Sequence, residues 1–201
     1  IATKGAHPPV AGYRATEAYM TPCRLQCDIE DSLGRMQLDT IDLYWLHRDD
    51  PRVPVGEILD MLNAEVKRGR IRAFGGSNWT AERLDEANRY AQEHGIDGFV
   101  ASQPRWSLLQ YENMTREKRL KPGVLLHANE DDRKRHTDSQ LPMICYGSTG
   151  NGFFAQHGTA PEKFINDVNS ARAARARELA NELGATPNQV ALVWLQSQPF
   201  P

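Results

Sequence analysis

The chain has 201 residues, 40% of them hydrophobic and 25% charged, an ordinary globular composition long enough for one substantial core. Lys and Arg number 24 against 26 Asp and Glu, a net charge of −2, which offers no basic surface for nucleic acid or an anionic membrane. No apolar run approaches the roughly 20 residues of a membrane span, and three cysteines, an odd and low count, point to a reducing cytoplasm rather than a disulfide scaffold.

Residues 1–4 read as a strand that ends on Lys4, and Tyr13 and Tyr19 follow in a loop containing Pro and Gly. Pro22–Met36 is predicted helical, because Leu25, Ile29, Leu33 and Met36 recur three to four residues apart. Cys23 and Cys27 lie four apart on this helix. With no second ligand pair of matching spacing they are expected to be ordinary buried or half-buried thiols, and no metal site is expected. Residues 41–47, Ile-Asp-Leu-Tyr-Trp-Leu-His, form a mostly apolar run that reads as a buried strand ending on His47. Residues 53–67 are predicted helical on Val55, Ile58, Leu59, Leu62 and Val66, with Gly69 ending the helix. Ile71–Ser77 is the next strand. Thr80 is a good N-cap with Arg83, not an acid, three residues on, and the helix it opens runs to about His94 and Gly95. Residues 99–103 and 143–146 are the last two predicted strands.

Strand and helix alternating this regularly imply an α/β fold with a parallel sheet and right-handed crossovers. Each unit takes about 30 residues, the pitch of an eightfold barrel or a doubly wound sheet. In such folds the chemistry sits at the carboxyl edge of the strands, where Lys4 and His47 fall. The regularity breaks across residues 111–141, which carry the runs Arg116-Glu117-Lys118-Arg119 and Glu130-Asp131-Asp132-Arg133-Lys134-Arg135. This stretch is expected to be a solvated polar insertion or surface loop. Helix resumes from Pro161, and residues 171–183 are rich in Ala and Arg up to Gly184. Thr186-Pro187 opens a final helix whose buried side is expected at Val190, Leu192, Val193 and Leu195.

Five segments together resemble the aldo-keto reductases. They are Ser32–Met36 with Asp39–Leu43; residues 41–47 followed by Arg48-Asp49-Asp50; Gly69-Arg70-Ile71-Arg72-Ala73-Phe74-Gly75-Gly76-Ser77-Asn78; Ser102-Gln103 with Trp106-Ser107-Leu108-Leu109; and Tyr146 with Gly150-Asn151-Gly152-Phe153-Phe154. One such motif alone is weak; five in order at barrel spacing are specific. The resemblance implies a (β/α)8 TIM barrel, with about five βα units in a single partial domain spanning 1–201. It also implies reduction of an aldehyde or ketone by hydride transfer from NADP(H), favoured over NAD(H) by family habit alone.

Carried over by position, Lys4 and His47 match two members of the family's catalytic tetrad. Ser77, Asn78 and Gln103 match the residues that hydrogen-bond the nicotinamide carboxamide, and Tyr146 the aromatic that stacks on its ring. Trp106 is a candidate for the substrate pocket. The residue types suit these roles. A cation such as Lys4 favours the ionised form of a neighbouring acid. An imidazole can orient a carbonyl oxygen, and mixed donors and acceptors suit an amide that needs both. The resemblance places the proton-donating tyrosine and its aspartate ahead of the strand that carries the lysine. Neither Tyr13 nor Tyr19 matches that tyrosine, and Gly147-Ser148-Thr149 stands where the family commonly has Ser-Pro-Leu. The expected partner is a small carbonyl compound, with neither nucleic acid nor membrane. Two further readings remain: a non-catalytic nicotinamide-binding or regulatory protein of the same fold, and an assembly in which a second chain completes the barrel.

Overall fold

A computed structural model of the chain describes residues 1–8, 17–155 and 162–201. Tyr13 and Pro161, named above, lie outside the described residues. Strands β1 (Ala2–Gly5), β2 (Ile41–Leu46), β3 (Ile71–Ser77) and β4 (Ser102–Gln103) form one four-stranded sheet in the order β1-β2-β3-β4. Every pairing is parallel, so each strand's carboxyl end lies on the same edge. The crossovers are α1 (Pro22–Met36), α2 (Val55–Lys67) and α3 (Ala81–His94).

The helices form where their apolar positions fall on one face. In α1, Leu25 and Ile29 are buried, and Leu33 and Met36 pack against the same core. Cys23 and Cys27 sit two residues off that stripe, about 200° round the helix, and both are exposed free thiols, contrary to the expectation of burial. Ile58, Leu59 and Leu62 of α2 meet Ile41, Tyr44, Ile71 and Phe74 of the sheet in one cluster. Gly75 is required by this packing: a Cβ there would lie 2.3 Å from the Trp45 ring, which crosses β3 at that point. Thr80 caps α3, its side chain accepting from the Arg83 amide at 3.2 Å, and Gly95 closes it at φ +61°.

Two predicted strands shrink. Of residues 99–103 only Ser102 and Gln103 remain, and residues 143–146 make isolated bridges from Met143 to Ser102 and from Tyr146 to Arg105. The fifth strand of the sequence reading is therefore an interrupted ladder. Ile144 donates to the Ser102 carbonyl at 2.8 Å and Tyr146 to the Pro104 carbonyl at 3.1 Å, but Pro104 has no N–H to return.

The polar stretch is more ordered than a solvated loop. It carries α4 (Arg116–Arg119) and α5 (Glu130–Ser139), and α5 opens on a reciprocal capping box between Asn129 and Asp132. Arg119, Asp132 and His136 are buried. The Arg119 guanidinium pairs with the Asp132 carboxylate, which also accepts from the Ala81 amide at 3.0 Å. His136 donates from Nδ1 to the Asp132 carbonyl at 2.7 Å, leaving Nε2 to accept from the Ser102 hydroxyl at 2.6 Å. These contacts fasten α5 to the start of α3 and to β4.

The chain ends in α6 (Asp167–Leu183) and α7 (Pro187–Gln196), with Thr186 and Gln189 forming the capping box of α7. The expected buried side of α7 is only partly so. Ala191 is buried and Val190 and Leu195 are half-buried, but Leu192 is 36% and Val193 61% exposed. The small residues Ala173, Ala176 and Ala191 make the close contact between the two helices. Val193 faces instead an apolar groove of about 420 Å³ shared with Leu179 and Leu183.

Candidate active site

The parallel register puts the sequence-predicted residues along one edge. Gly5 is level with Leu46, Leu46 with Gly76, and Ser77 with Gln103. Lys4 therefore stands one residue before the end of β1, His47 follows β2 with its amide on the Gly5 carbonyl at 2.8 Å, Ser77 ends β3 and Gln103 ends β4. Tyr146 joins them through its bridge to Arg105.

The side chains converge. Lys4 Nζ donates to Ser77 Oγ at 3.4 Å and lies 5.8 Å from the centre of the Tyr146 ring. Ser77 Oγ donates to the Gln103 carbonyl at 2.9 Å. Asn78, held left-handed at φ 58°, is the hub. Its Nδ2 donates to the His47 carbonyl at 3.0 Å and to Ser77 Oγ at 3.3 Å. Its Oδ1 accepts from the Tyr146 hydroxyl at 2.8 Å and the Leu126 amide at 3.1 Å. Both donors and both lone pairs of this amide are thus engaged within the protein. Gln103 differs: its Oε1 is buried and without a partner, a costly condition for an acceptor unless a ligand satisfies it.

Electrostatics favour uncharged rings here. Burial lowers the His47 pKa to about 4, helped by the nearby charges of His7, Lys4 and Arg48, so the imidazole is neutral at pH 7. Burial also lowers the Lys4 pKa and raises that of Tyr146. A cavity of about 220 Å³ opens beside Lys4, lined by Gly5, His7, Arg24 and Asp28 among others.

Trp106 donates its amide to the Tyr146 carbonyl at 3.2 Å. Its ring packs against Trp194 at 5.3 Å and Phe200 at 5.9 Å between centroids, and it lines a separate polar cavity of about 270 Å³ with Tyr111, His127, Arg133 and Arg172. Tyr19 is unsuited to surface chemistry: it is buried, and its hydroxyl donates to the Asp49 carbonyl at 2.6 Å. The Arg48-Asp49-Asp50 turn is structural at its acids. Asp50 takes the Tyr19 amide at 3.0 Å and Asp49 the Arg83 guanidinium at 3.1 Å. Full burial raises the Asp49 pKa to about 7 in spite of that arginine.

The sequence reading did not single out His7, whose ring meets His47 edge-on at 4.7 Å. Its position three residues after Lys4, just past a strand end, was the available signal. Arg105, two residues after Gln103 and bridged to Tyr146, was missed as well.

The model of the aldo/keto reductase family matches residues 1–201. The aldo-keto reductase YhdN of Bacillus subtilis is 31% identical over 144 residues, which cover 72% of this chain and 37% of that protein. An uncharacterized oxidoreductase of the same organism, YrpG, is 26% identical over 184 residues, 88% of this chain and 52% of the relative. A 6-dehydroglucose reductase of Novosphingobium aromaticivorans is 26% identical over 202 aligned residues, 99% of this chain and 56% of its own length. The chain thus spans about half the length, or less, of these curated relatives.

Proposed function

The chain belongs to the aldo/keto reductase family, and from that premise we propose that it forms part of an oxidoreductase that reduces an aldehyde or ketone with a nicotinamide cofactor. The four-stranded sheet is, in this reading, an arc of a (β/α)8 barrel, and the cofactor is NADP(H) in preference to NAD(H). A cytoplasmic setting accords with three free cysteines. The observation that carries the proposal is the meeting of Lys4, His47, Ser77, Gln103 and Tyr146 at the carboxyl edge of the sheet, with the buried Gln103 acceptor unpartnered.

The residues present fit the cofactor's amide. Gln103 Oε1 can accept a carboxamide N–H, and Tyr146 offers a ring face held in place by its bond to Asn78. Ser77 and Asn78 complete the polar wall. Asn78 acts first by fixing Tyr146 and His47, and it reaches a ligand only by giving up one of its present bonds. A nicotinamide held there would supply a hydride for the carbonyl carbon. His47, neutral at pH 7, offers a ring N–H to the carbonyl oxygen, whose negative charge grows as reduction proceeds. Lys4 stabilises the ionised form of an acid set beside it. Tyr19 is not that acid, since its hydroxyl is spent on Asp49.

The test is carbonyl turnover with NADPH by the chain and by His47→Ala. Loss of about 100-fold or more, the scale of one donor at a developing oxyanion, is the expected result. Equal turnover in both would sink the role of His47. Cofactor binding with no turnover in either would leave the regulatory reading in its place.

A further inference from the structure

Like Arg24 and Arg172, whose guanidinium groups bond backbone carbonyls, Arg105 has no carboxylate partner among the described residues. Arg52, Arg70, Arg83 and Arg119 each have a carboxylate, namely Asp50, Glu65, Asp49 and Asp132. Arg105 is half-buried. The contacts of its guanidinium are with neutral groups: the Asn151 side-chain oxygen at 3.2 Å and the faces of Tyr111 and Phe164, 5.3 and 5.5 Å from their centres. Its Nε is buried without a partner. Among the described residues, no carboxylate is paired with this cation.

Its placement is fixed and central. The Arg105 amide donates to the Leu126 carbonyl at 3.0 Å and its carbonyl accepts from Ala128 at 2.9 Å. A backbone bridge joins it to Tyr146. The side chain runs past Gly147, where a Cβ would stand 3.5 Å from it and where φ is +65°. That distance is ordinary contact, and it is the left-handed backbone that favours glycine at this position. A planar fork of donors held rigid over two rings, with one N–H idle, suits a carboxylate or phosphate. Desolvating a cation without a counter-ion is unfavourable in the folded protein, and an arriving anion relieves that cost.

The geometry points to Arg105 as the binding group for an oxyanion carried by the reacting ligand, at the Tyr146 end of the candidate site. The inference rests on the reading of that site given above. The same chemistry has two sources: the diphosphate of a dinucleotide, and a carboxylate on the carbonyl substrate.

The variants are Arg105→Met, which keeps the apolar stem over the rings, and Arg105→Lys, which keeps the charge and loses the fork. Circular dichroism establishes that each is folded, and Arg105→Lys carries the test alone if Arg105→Met is not. Two readings are compared with the unsubstituted chain: the NADPH dissociation constant, and the ratio of kcat/KM for 4-carboxybenzaldehyde over benzaldehyde. A rise of about tenfold or more in the dissociation constant assigns the diphosphate, and a fall of that size in the ratio assigns the carboxylate; a factor of ten is about 1.4 kcal/mol. Neither change in a folded variant overturns the inference. If the unsubstituted chain binds no NADPH, the proposed function fails by itself. Calorimetric titration with inorganic diphosphate and with benzoate then decides Arg105: binding of either that Arg105→Met abolishes supports the site, and binding indifferent to the substitution, or none, refutes it.

Discussion

Helices α1 and α2 are held by apolar faces, Leu25 and Ile29 in the first and Leu59 and Leu62 in the second, whereas α5 in the later polar stretch is held by an arginine, an aspartate and a histidine. Both anchorings are buried, but they respond to different insults. An apolar face tolerates a smaller side chain at the cost of a cavity. A buried charge pair that loses one member leaves the other stranded, and that is the larger penalty. The contrast matters for function because the candidate site draws on both regions: Lys4, His47, Ser77 and Gln103 come from the apolar sheet, while Leu126 and Tyr146, which hold Asn78, come from the polar side.

Asp132→Ala breaks that contrast most severely. It strands buried Arg119 and frees the Ala81 and Asn129 amides, so urea denaturation should register a loss of about 3–5 kcal/mol. Asp138→Ala, in an exposed pair with Lys134, should cost no more than about 1 kcal/mol. Equal costs for the two would mean that α5 is solvated surface after all. Leu62→Ala probes the apolar side, with an expected loss of about 2–5 kcal/mol as a cavity opens beneath α2. Thr80→Ala should cost about 1 kcal/mol through the α3 cap alone, and an effect beyond about 2 kcal/mol would show that Thr80 does more than cap.

Acid separates the site from the scaffold more gently. His47 has a folded pKa of about 4 against an ordinary value of 6.5. At this histidine, between those values, the unfolded chain binds more protons than the folded one, so the stability that His47 contributes falls as pH drops from about 6.5 towards 4, while Asp49, raised to about 7, acts in the opposite direction. Burial lowers the pKa values of His127 and His136 too, which adds to the same trend. His47→Asn should shallow the fall, measured as the urea midpoint at pH 7 and pH 5. An NMR titration that found His47 near 6.5 would contradict this account.

The sheet was legible because its signals are local. The apolar run of Ile71–Ser77, bounded by Gly69 and by the cap at Thr80, defines its own limits, and strand ends in such a pattern place Lys4, His47 and Ser77 on one edge. The interrupted ladder at Met143–Tyr146 was harder to read, since its breaks depend on Pro104, just past the end of β4. The burial of Asp132 was illegible from its own sequence: a run of charges signals solvent, and only a guanidinium 13 residues away and an amide from α3 convert it into an anchor. Arg105 was missed for a related reason, because a lone arginine in a loop reveals nothing about the carboxylate it lacks.

The central claim, that the carboxyl edge of this sheet receives a nicotinamide amide, is tested most directly by NADPH fluorescence titration of the chain beside Gln103→Leu. The account predicts saturable binding that weakens about tenfold or more in the variant, since the substitution removes the unpartnered acceptor. Equal affinity in the two proteins, or no binding by the unsubstituted chain, would contradict it.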